Sequence, residues 1–108
     1  MDVKNTFKEY KFPNGETVKL TVAFCYLLKL RENNKKIYEK LNNGILNGVS
    51  EMIDAAYVLY GAYLCACYAG ENGGKENIMN ESDFITALED DVMDVMIAGN
   101  NLLSKKKN

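Results

Sequence analysis

The stretch DAAYVLYGAYLCACYAG, residues 54–70, decides how the rest of the chain is read. It carries Tyr57, Tyr60 and Tyr63 at three-residue spacing, then Cys65-Ala66-Cys67, then Tyr68. On a helix, residues i and i+2 lie about 200° apart around the axis, so the two thiols point to nearly opposite faces. They can neither clamp one metal nor close a disulfide without breaking the helix. No further Cys or His stands nearby in sequence to complete a zinc set. As a membrane span the stretch is too short, because a span needs about 20 apolar residues and the uncharged run Ala55–Ala69 has 15. What is left is a helix apolar on almost every side. Ile53, Tyr57, Tyr60, Leu64 and Cys67 form one stripe, and Ala55, Leu59, Ala62, Ala66 and Ala69 occupy the rest. Such a helix is central and buried. In 108 residues there is barely enough protein to surround it. Two arrangements stay open: a fold that wraps the helix completely, or one that leaves part of it facing another subunit or a partner. Gly61, Ala62 and Ala66 allow close helix approach.

Upstream, KEYKFPNGETVKLTV (residues 8–22) reads as a β-hairpin. Val18, Leu20 and Val22 alternate with Thr17, Lys19 and Thr21, which gives one apolar face. Tyr10 and Phe12 supply the same face of the other strand. Pro13-Asn14-Gly15 between them fits a type I turn closed by a bulge, with Gly15 at positive φ. A lone hairpin is marginal in water, so its apolar face must lie on helices. Residues 23–45 follow a helical period, with Phe24, Leu27, Leu28, Arg31, then Tyr38, Leu41 and Ile45 on i, i+3, i+4 spacings. Asn33-Asn34 marks a kink or a break into two helices, and Asn42-Asn43-Gly44 supplies a stop. Ser50 is the expected N-cap of the central helix, with Glu51 and Asp54 in its first turn.

Downstream, Gly70 and the ENGG that follows end that helix and begin a flexible loop, residues 70–79. Asn80 or Ser82 caps the next helix, whose apolar stripe is Phe84, Ile85 and Leu88. A further helix covers VMDVMIAGNNLL, with Val92, Met93, Met96 and Leu103 facing inward and Gly99 weakening it. The expected organisation is one domain over residues 1–108: an 8–22 hairpin, a 23–69 helical core, a 70–79 loop, 80–104 C-terminal helices and a frayed 105–108 tail. The fold class is α+β and mostly helical, an N-terminal β-hairpin packed on a small bundle of about four helices.

Composition narrows the function. Hydrophobic residues make up 47% and charged residues 26%, the balance of a soluble globular protein. The net charge of −2 gives no basic field to attract nucleic acid. Residues 1–50 hold nine Lys/Arg against five Asp/Glu, and residues 51–108 four Lys against ten Asp/Glu. The two halves therefore attract each other, or copies of themselves, so a homo-oligomer is open. The chain has no His, which removes His-based acid–base catalysis, every Ser/His or Cys/His pair and the commonest metal ligand. Three Cys in apolar surroundings are no disulfide framework and suit a reducing cytoplasm. The N-terminal MDVKNTFKEYKF lacks the apolar segment of a signal peptide.

The acidic run Glu89, Asp90, Asp91 and Asp94 lacks the alternating ligands and closing Glu of a calcium loop and reads as a solvated helix face. Lys35-Lys36 and Lys105-Lys106-Lys107 stand without the aromatic or Arg company of a nucleic-acid site. The glycines of Gly70-Glu71-Asn72-Gly73-Gly74 follow a helix rather than open one, so they form no phosphate loop. No catalytic residue, cofactor or metal site is expected, and the chain reads as a non-enzymatic interaction module. Its expected partner-binding face is the tyrosine stripe with two leucines of the preceding helix: Leu27, Leu28, Tyr57, Tyr60, Tyr63 and Leu64.

The order of pieces resembles the tail assembly chaperones of long-tailed phages and prophages of Gram-positive bacteria. The resemblance is carried by an F-x-N-G hairpin at Phe12, Asn14 and Gly15, and by F-x-x-L-x-x-L-R at Phe24, Leu27, Leu30 and Arg31. N-K-K-x-Y-E follows at Asn34, Lys35, Lys36, Tyr38 and Glu39, and L-Y-x-A-Y-L-C-A at Leu59, Tyr60, Ala62, Tyr63, Leu64, Cys65 and Ala66. M-x-x-x-[DE]-F at Met79, Asp83 and Phe84 completes it, so it spans roughly residues 7–88. No single motif is diagnostic; order and spacing carry the likeness, and the acidic EDDVMD and the GNN that follows depart from it.

The resemblance implies a chaperone that binds the phage tape measure protein in the host cytoplasm, keeps it soluble and helps recruit tail tube protein. Such a chaperone is absent from the mature virion. It also implies a longer frameshifted product, with Lys105-Lys106-Lys107 fitting an A-rich slippery stretch. The rival reading is a small phage- or host-encoded regulatory protein that binds nucleic acid, against which stand the net charge and the lack of a basic recognition helix.

Overall fold

The hairpin forms where period-two alternation places it. The computed structural model describes residues 7–88 and 92–107. In it β1 (Lys8–Lys11) pairs antiparallel with β2 (Thr17–Leu20), Lys8 opposite Leu20, Glu9 opposite Lys19, Tyr10 opposite Val18 and Lys11 opposite Thr17. The Gly15 N–H donates to the Phe12 C=O at 2.9 Å, and the Phe12 N–H to the Glu16 C=O at 2.8 Å. Gly15 sits at φ +98°, which glycine adopts without a Cβ penalty. Tyr10, Phe12 and Leu20 are buried on the inner face.

Five α-helices follow among the described residues: α1 (Phe24–Asn33), α2 (Lys35–Asn47), α3 (Met52–Tyr68), α4 (Glu81–Leu88) and α5 (Val92–Lys107). A short 3-10 turn, Lys75–Asn77, lies between α3 and α4. The fold is α+β and mostly helical. Asn34 makes the break between α1 and α2: its N–H bonds the Leu30 C=O at 2.7 Å and its side-chain oxygen accepts the Ile37 N–H at 3.3 Å. One residue therefore ends a helix and caps the next. Asn80 caps α4 in the same way, accepting the Asp83 N–H at 2.7 Å.

The central helix is α3. Ala55, Ala56 and every residue from Val58 to Cys67 are buried. The chain wraps it with its own elements: α2 and α5 pack along it most extensively, and α1, β2 and α4 cover the remainder. Burying so apolar a helix is the main source of stability in a domain of this size.

Local features differ from expectation at five places. The stop at Asn42-Asn43-Gly44 does not occur, and α2 continues to Asn47 and ends at Gly48, φ +82°. Gly44 lies inside the helix because a Cβ there would sit 2.6 Å from Val58 Cγ2, where α2 crosses α3. Ser50 does not cap α3; Glu51 holds the N-cap position without a side-chain bond. In α1 the buried positions are Leu27 and Leu30, while Phe24 and Leu28 face out. In α5 Leu103 is buried as expected, but Met93 is exposed and Met96 half-buried, and Val95 and Leu102 are buried in their place. Gly99 sets that phase, since a Cβ there would approach Ala55 Cβ to 3.2 Å. The backbone of α5 continues through Lys107, past the expected end at 104; Asn108, last residue of the expected frayed tail, lies outside the described residues, as does the Val92 side chain.

Candidate partner-binding surface

Tyr57, Tyr60 and Tyr63 recur every three residues and climb one side of α3. Their hydroxyls all reach the segment that leads into α4. The Tyr63 hydroxyl accepts the Met79 N–H at 2.8 Å and donates to the Asn77 C=O at 3.5 Å. Tyr60 donates to the Met79 C=O at 2.9 Å, and Tyr57 to Glu81 Oε2 at 2.7 Å. The rings finish the clasp: Tyr60 and Tyr63 each lie 5.1 Å from Phe84, and Phe12 of the hairpin meets Phe84 edge-on at 5.4 Å. The connection expected as a flexible loop is thus bonded to α3 along residues 77–81, and Asn72 bonds it to β2.

This places the six expected partner-binding residues. Leu27, Tyr60, Tyr63 and Leu64 are buried within the chain itself, Tyr57 is half-buried, and Leu28 is 41% exposed. The first four build the core and its clasp. An all-apolar helix shows the same tyrosine spacing whether its hydroxyls meet a partner or backbone groups of its own chain, and the groups they meet at Asn77 and Met79 are main-chain atoms without a side-chain signature.

The exposed large apolar side chains are Phe24, Leu28, Leu46, Ile53, Met93 and Ile97. Phe24 and Leu28 stand one turn apart on α1, and Met93 and Ile97 one turn apart on α5. Their signal in the sequence is a phase conflict, because Phe24/Leu28 and Leu27/Leu30 cannot all face one side of a helix.

The thiols of α3 are buried and protonated. Cys65 and Cys67 are buried and Cys25 is exposed. Cys65 Sγ donates to the Tyr26 C=O at 3.5 Å. Burial pushes the Cys65 thiol up to about 12 and raises Cys67 as well, so both stay protonated and weakly nucleophilic. Burial also pushes Tyr60 and Tyr63 up to about 12. An unfolded tyrosine ionises near 10. Between roughly pH 10 and 12 the folded chain therefore retains protons that the unfolded chain gives up, and stability falls as pH rises. Full stability through about pH 9 and alkaline unfolding across this window are expected in a titration followed by tyrosinate absorbance and circular dichroism.

Among the described residues two surface clefts bear on function. One, of about 610 Å³, runs between β1 and α5. The other, of about 400 Å³, lies between α2 and α3 among Lys36, Glu39, Lys40, Asn43, Asp54 and Tyr57, with Lys40 Nζ 4.4 Å over the Tyr57 ring. Among their lining residues no nucleophile is set on a base. Among the described residues no three His, Cys, Asp or Glu side chains gather as a metal site, and no helix is long and apolar enough to cross a membrane. Of the acidic run, Asp94 is exposed on α5, and Glu89, Asp90 and Asp91 lie outside the described residues. Lys35 and Lys36 are exposed at the start of α2, and the side chains of Lys105, Lys106 and Lys107 lie outside the described residues.

Fold and surface together define a small α+β domain with a closed core and apolar side chains left on helix faces. No family model matches the chain, and neither a curated protein nor a solved structure matches it.

Proposed function

We propose that this chain is a non-enzymatic tail assembly chaperone of a long-tailed phage or prophage. It binds the tape measure protein, keeps it soluble and helps recruit tail tube subunits in the bacterial cytoplasm, and it is left out of the finished virion. The resemblance over residues 7–88 suggests this reading, and one observation carries it: among the described residues six large apolar side chains remain exposed on helix surfaces around a core that is already closed. A long helical tape measure presents apolar stripes that need cover before the tube forms around it, and a helix face with exposed apolar side chains suits that partner.

Most positions that carry the resemblance are core residues, Phe12, Leu30, Tyr63 and Phe84 among them, and serve folding. Phe24, Arg31, Lys35, Lys36 and Glu39 are exposed, so the core does not require them. With Leu28 they favour α1 and the start of α2 as the contact face. Co-expression with the long helical reading frame just downstream in the same genome, then pull-down and size-exclusion chromatography with light scattering, is the test. A soluble complex, with the partner insoluble alone, is expected. The double variant Phe24→Ser with Leu28→Ser should stay folded within about 0.5 kcal/mol of the parent, as exposed substitutions do, and lose the complex. No complex with the parent chain would overturn the reading.

A further inference from the structure

In a two-stranded sheet both strands are edges, and an unsealed edge is a template for another strand. The chain seals β2 itself. The Asn72 side-chain amide accepts the Lys19 N–H at 2.7 Å and donates to the Lys19 C=O at 3.0 Å, pairing that residue as a neighbouring strand would. Two residues on, the Thr21 N–H donates to the Ala62 C=O at 3.2 Å. Since Lys19 turns its backbone groups away from β1, its partner Glu9 turns its own away from β2, and alternation puts those of Lys11 beside them. The Phe12–Glu16 bond at the turn confirms this parity. Among the described residues no hydrogen bond reaches these outward groups of Glu9 and Lys11. Alongside this edge runs the cleft of about 610 Å³, whose far wall is α5 with Ile97, Ala98 and Leu102.

We propose that the outer edge of β1 pairs antiparallel with β1 of a second copy, joining two hairpins into one four-stranded sheet across a two-fold axis at Tyr10. Charge selects this register. Only residues whose backbone groups both point outward can form a hydrogen-bonded pair, so symmetric pairing must centre on Glu9, Tyr10 or Lys11. Centring on Glu9 sets Glu opposite Glu, and centring on Lys11 sets Lys opposite Lys; like charges directly opposite are destabilising. Centring on Tyr10 sets Glu9 opposite Lys11 of the second copy, twice, with Glu9 and Lys11 both exposed in the single chain. The row is continuous with the pair already inside the hairpin, where Lys19 Nζ lies 3.9 Å from Glu9 Oε2. Charged residues on a short edge strand discourage indiscriminate pairing; in this one register the same charges admit a second copy and reject other edges. The added strand would also enter the cleft along Ile97, which is 51% exposed in the single chain.

The inference does not depend on the assembly role, and the full chain alone tests it. Sedimentation equilibrium over a concentration series should show the mass rising from 12.1 kDa towards twice that value. Glu9→Lys and Lys11→Glu should each weaken association by about tenfold or more, because each turns two opposite-charge pairs into like-charge pairs. The double swap should restore it, and an equimolar mixture of the two single variants should form a mixed dimer. Lys11→Pro, which removes an N–H from the outer edge and none from the hairpin ladder, should also abolish the dimer while circular dichroism stays unchanged. A monomer at every soluble concentration would overturn the proposal. So would a dimer that survives both single reversals, or one that neither the swap nor the mixture rescues.

Discussion

Phe84→Ala is expected to unfold much of this domain's margin, costing about 3–5 kcal/mol, the range for truncating a fully buried Phe. Its ring is fully buried and sits 5.1 Å from both Tyr60 and Tyr63 and 5.4 Å from Phe12. It therefore joins three elements at one point: the hairpin, the central helix and α4. Neighbouring layers cannot collapse into the space, because Tyr60 and Tyr63 are fixed at their hydroxyl ends by Met79. α4 has eight residues and buries only Phe84 and Leu88 fully, so without the ring Leu88 alone anchors it. Domains of this kind hold only about 5–15 kcal/mol in total. Each kcal/mol moves the thermal midpoint of a domain near this size by roughly 4–8 °C, so a thermal scan reads the loss directly. Phe84→Leu, which keeps most of the buried area, should recover more than half. A loss below about 1 kcal/mol for alanine would show that α4 is held by its hydroxyl and capping bonds rather than by this ring.

The elements of the fold were legible because each rests on a local pattern. The alternation around Pro13-Asn14-Gly15 allows only a hairpin, and the apolar girth of residues 54–69 allows only a central helix. The break at Asn34 was legible as well, since two adjacent Asn interrupt a run of helix formers. What misled was glycine. Gly44 reads as a stop and Gly99 as a weakness, yet both sit inside helices where a Cβ would collide with Val58 or crowd Ala55 across an interface. Long-range approach, not local conformation, put them there, and a single sequence does not encode which of the two a glycine serves. The same approach of Gly99 to Ala55 turned Met93 of α5 outward. The surface was the least legible part, because Tyr60 and Tyr63 spend their polar ends on main-chain atoms of the 77–79 segment.

Asn72 presents the same lesson in a form that can be measured. Asn72→Ala is expected to cost about 2–4 kcal/mol. Part of this is lost hydrogen bonding: the Lys19 N–H and C=O lose their Asn72 partner in a part-buried position, at roughly 1–3 kcal/mol for such groups. The rest is backbone strain, because residue 72 sits at φ +58°, where Asn is tolerated and alanine costs about 1 kcal/mol or more. Asn72→Gly separates the two effects, since glycine loses the clamp and not the conformation; it should be about 1 kcal/mol more stable than the alanine variant in urea unfolding. Asn72→Asp keeps an acceptor for the Lys19 N–H but sets a carboxylate against the Lys19 carbonyl, so it should be no better than alanine. In all three the Lys19 amide should exchange with solvent faster than in the parent, and an unchanged rate would show that the clamp is not what protects it. The larger consequence lies in association. With β2 sealed, pairing through β1 closes at two copies. With Lys19 uncovered, β2 offers a second edge up to the Thr21–Ala62 bond, so the alanine and glycine variants should scatter light increasingly with concentration where the parent stops at a dimer. Asn72 is then the residue that limits the sheet, and Glu9 and Lys11 are the ones that choose what it pairs with.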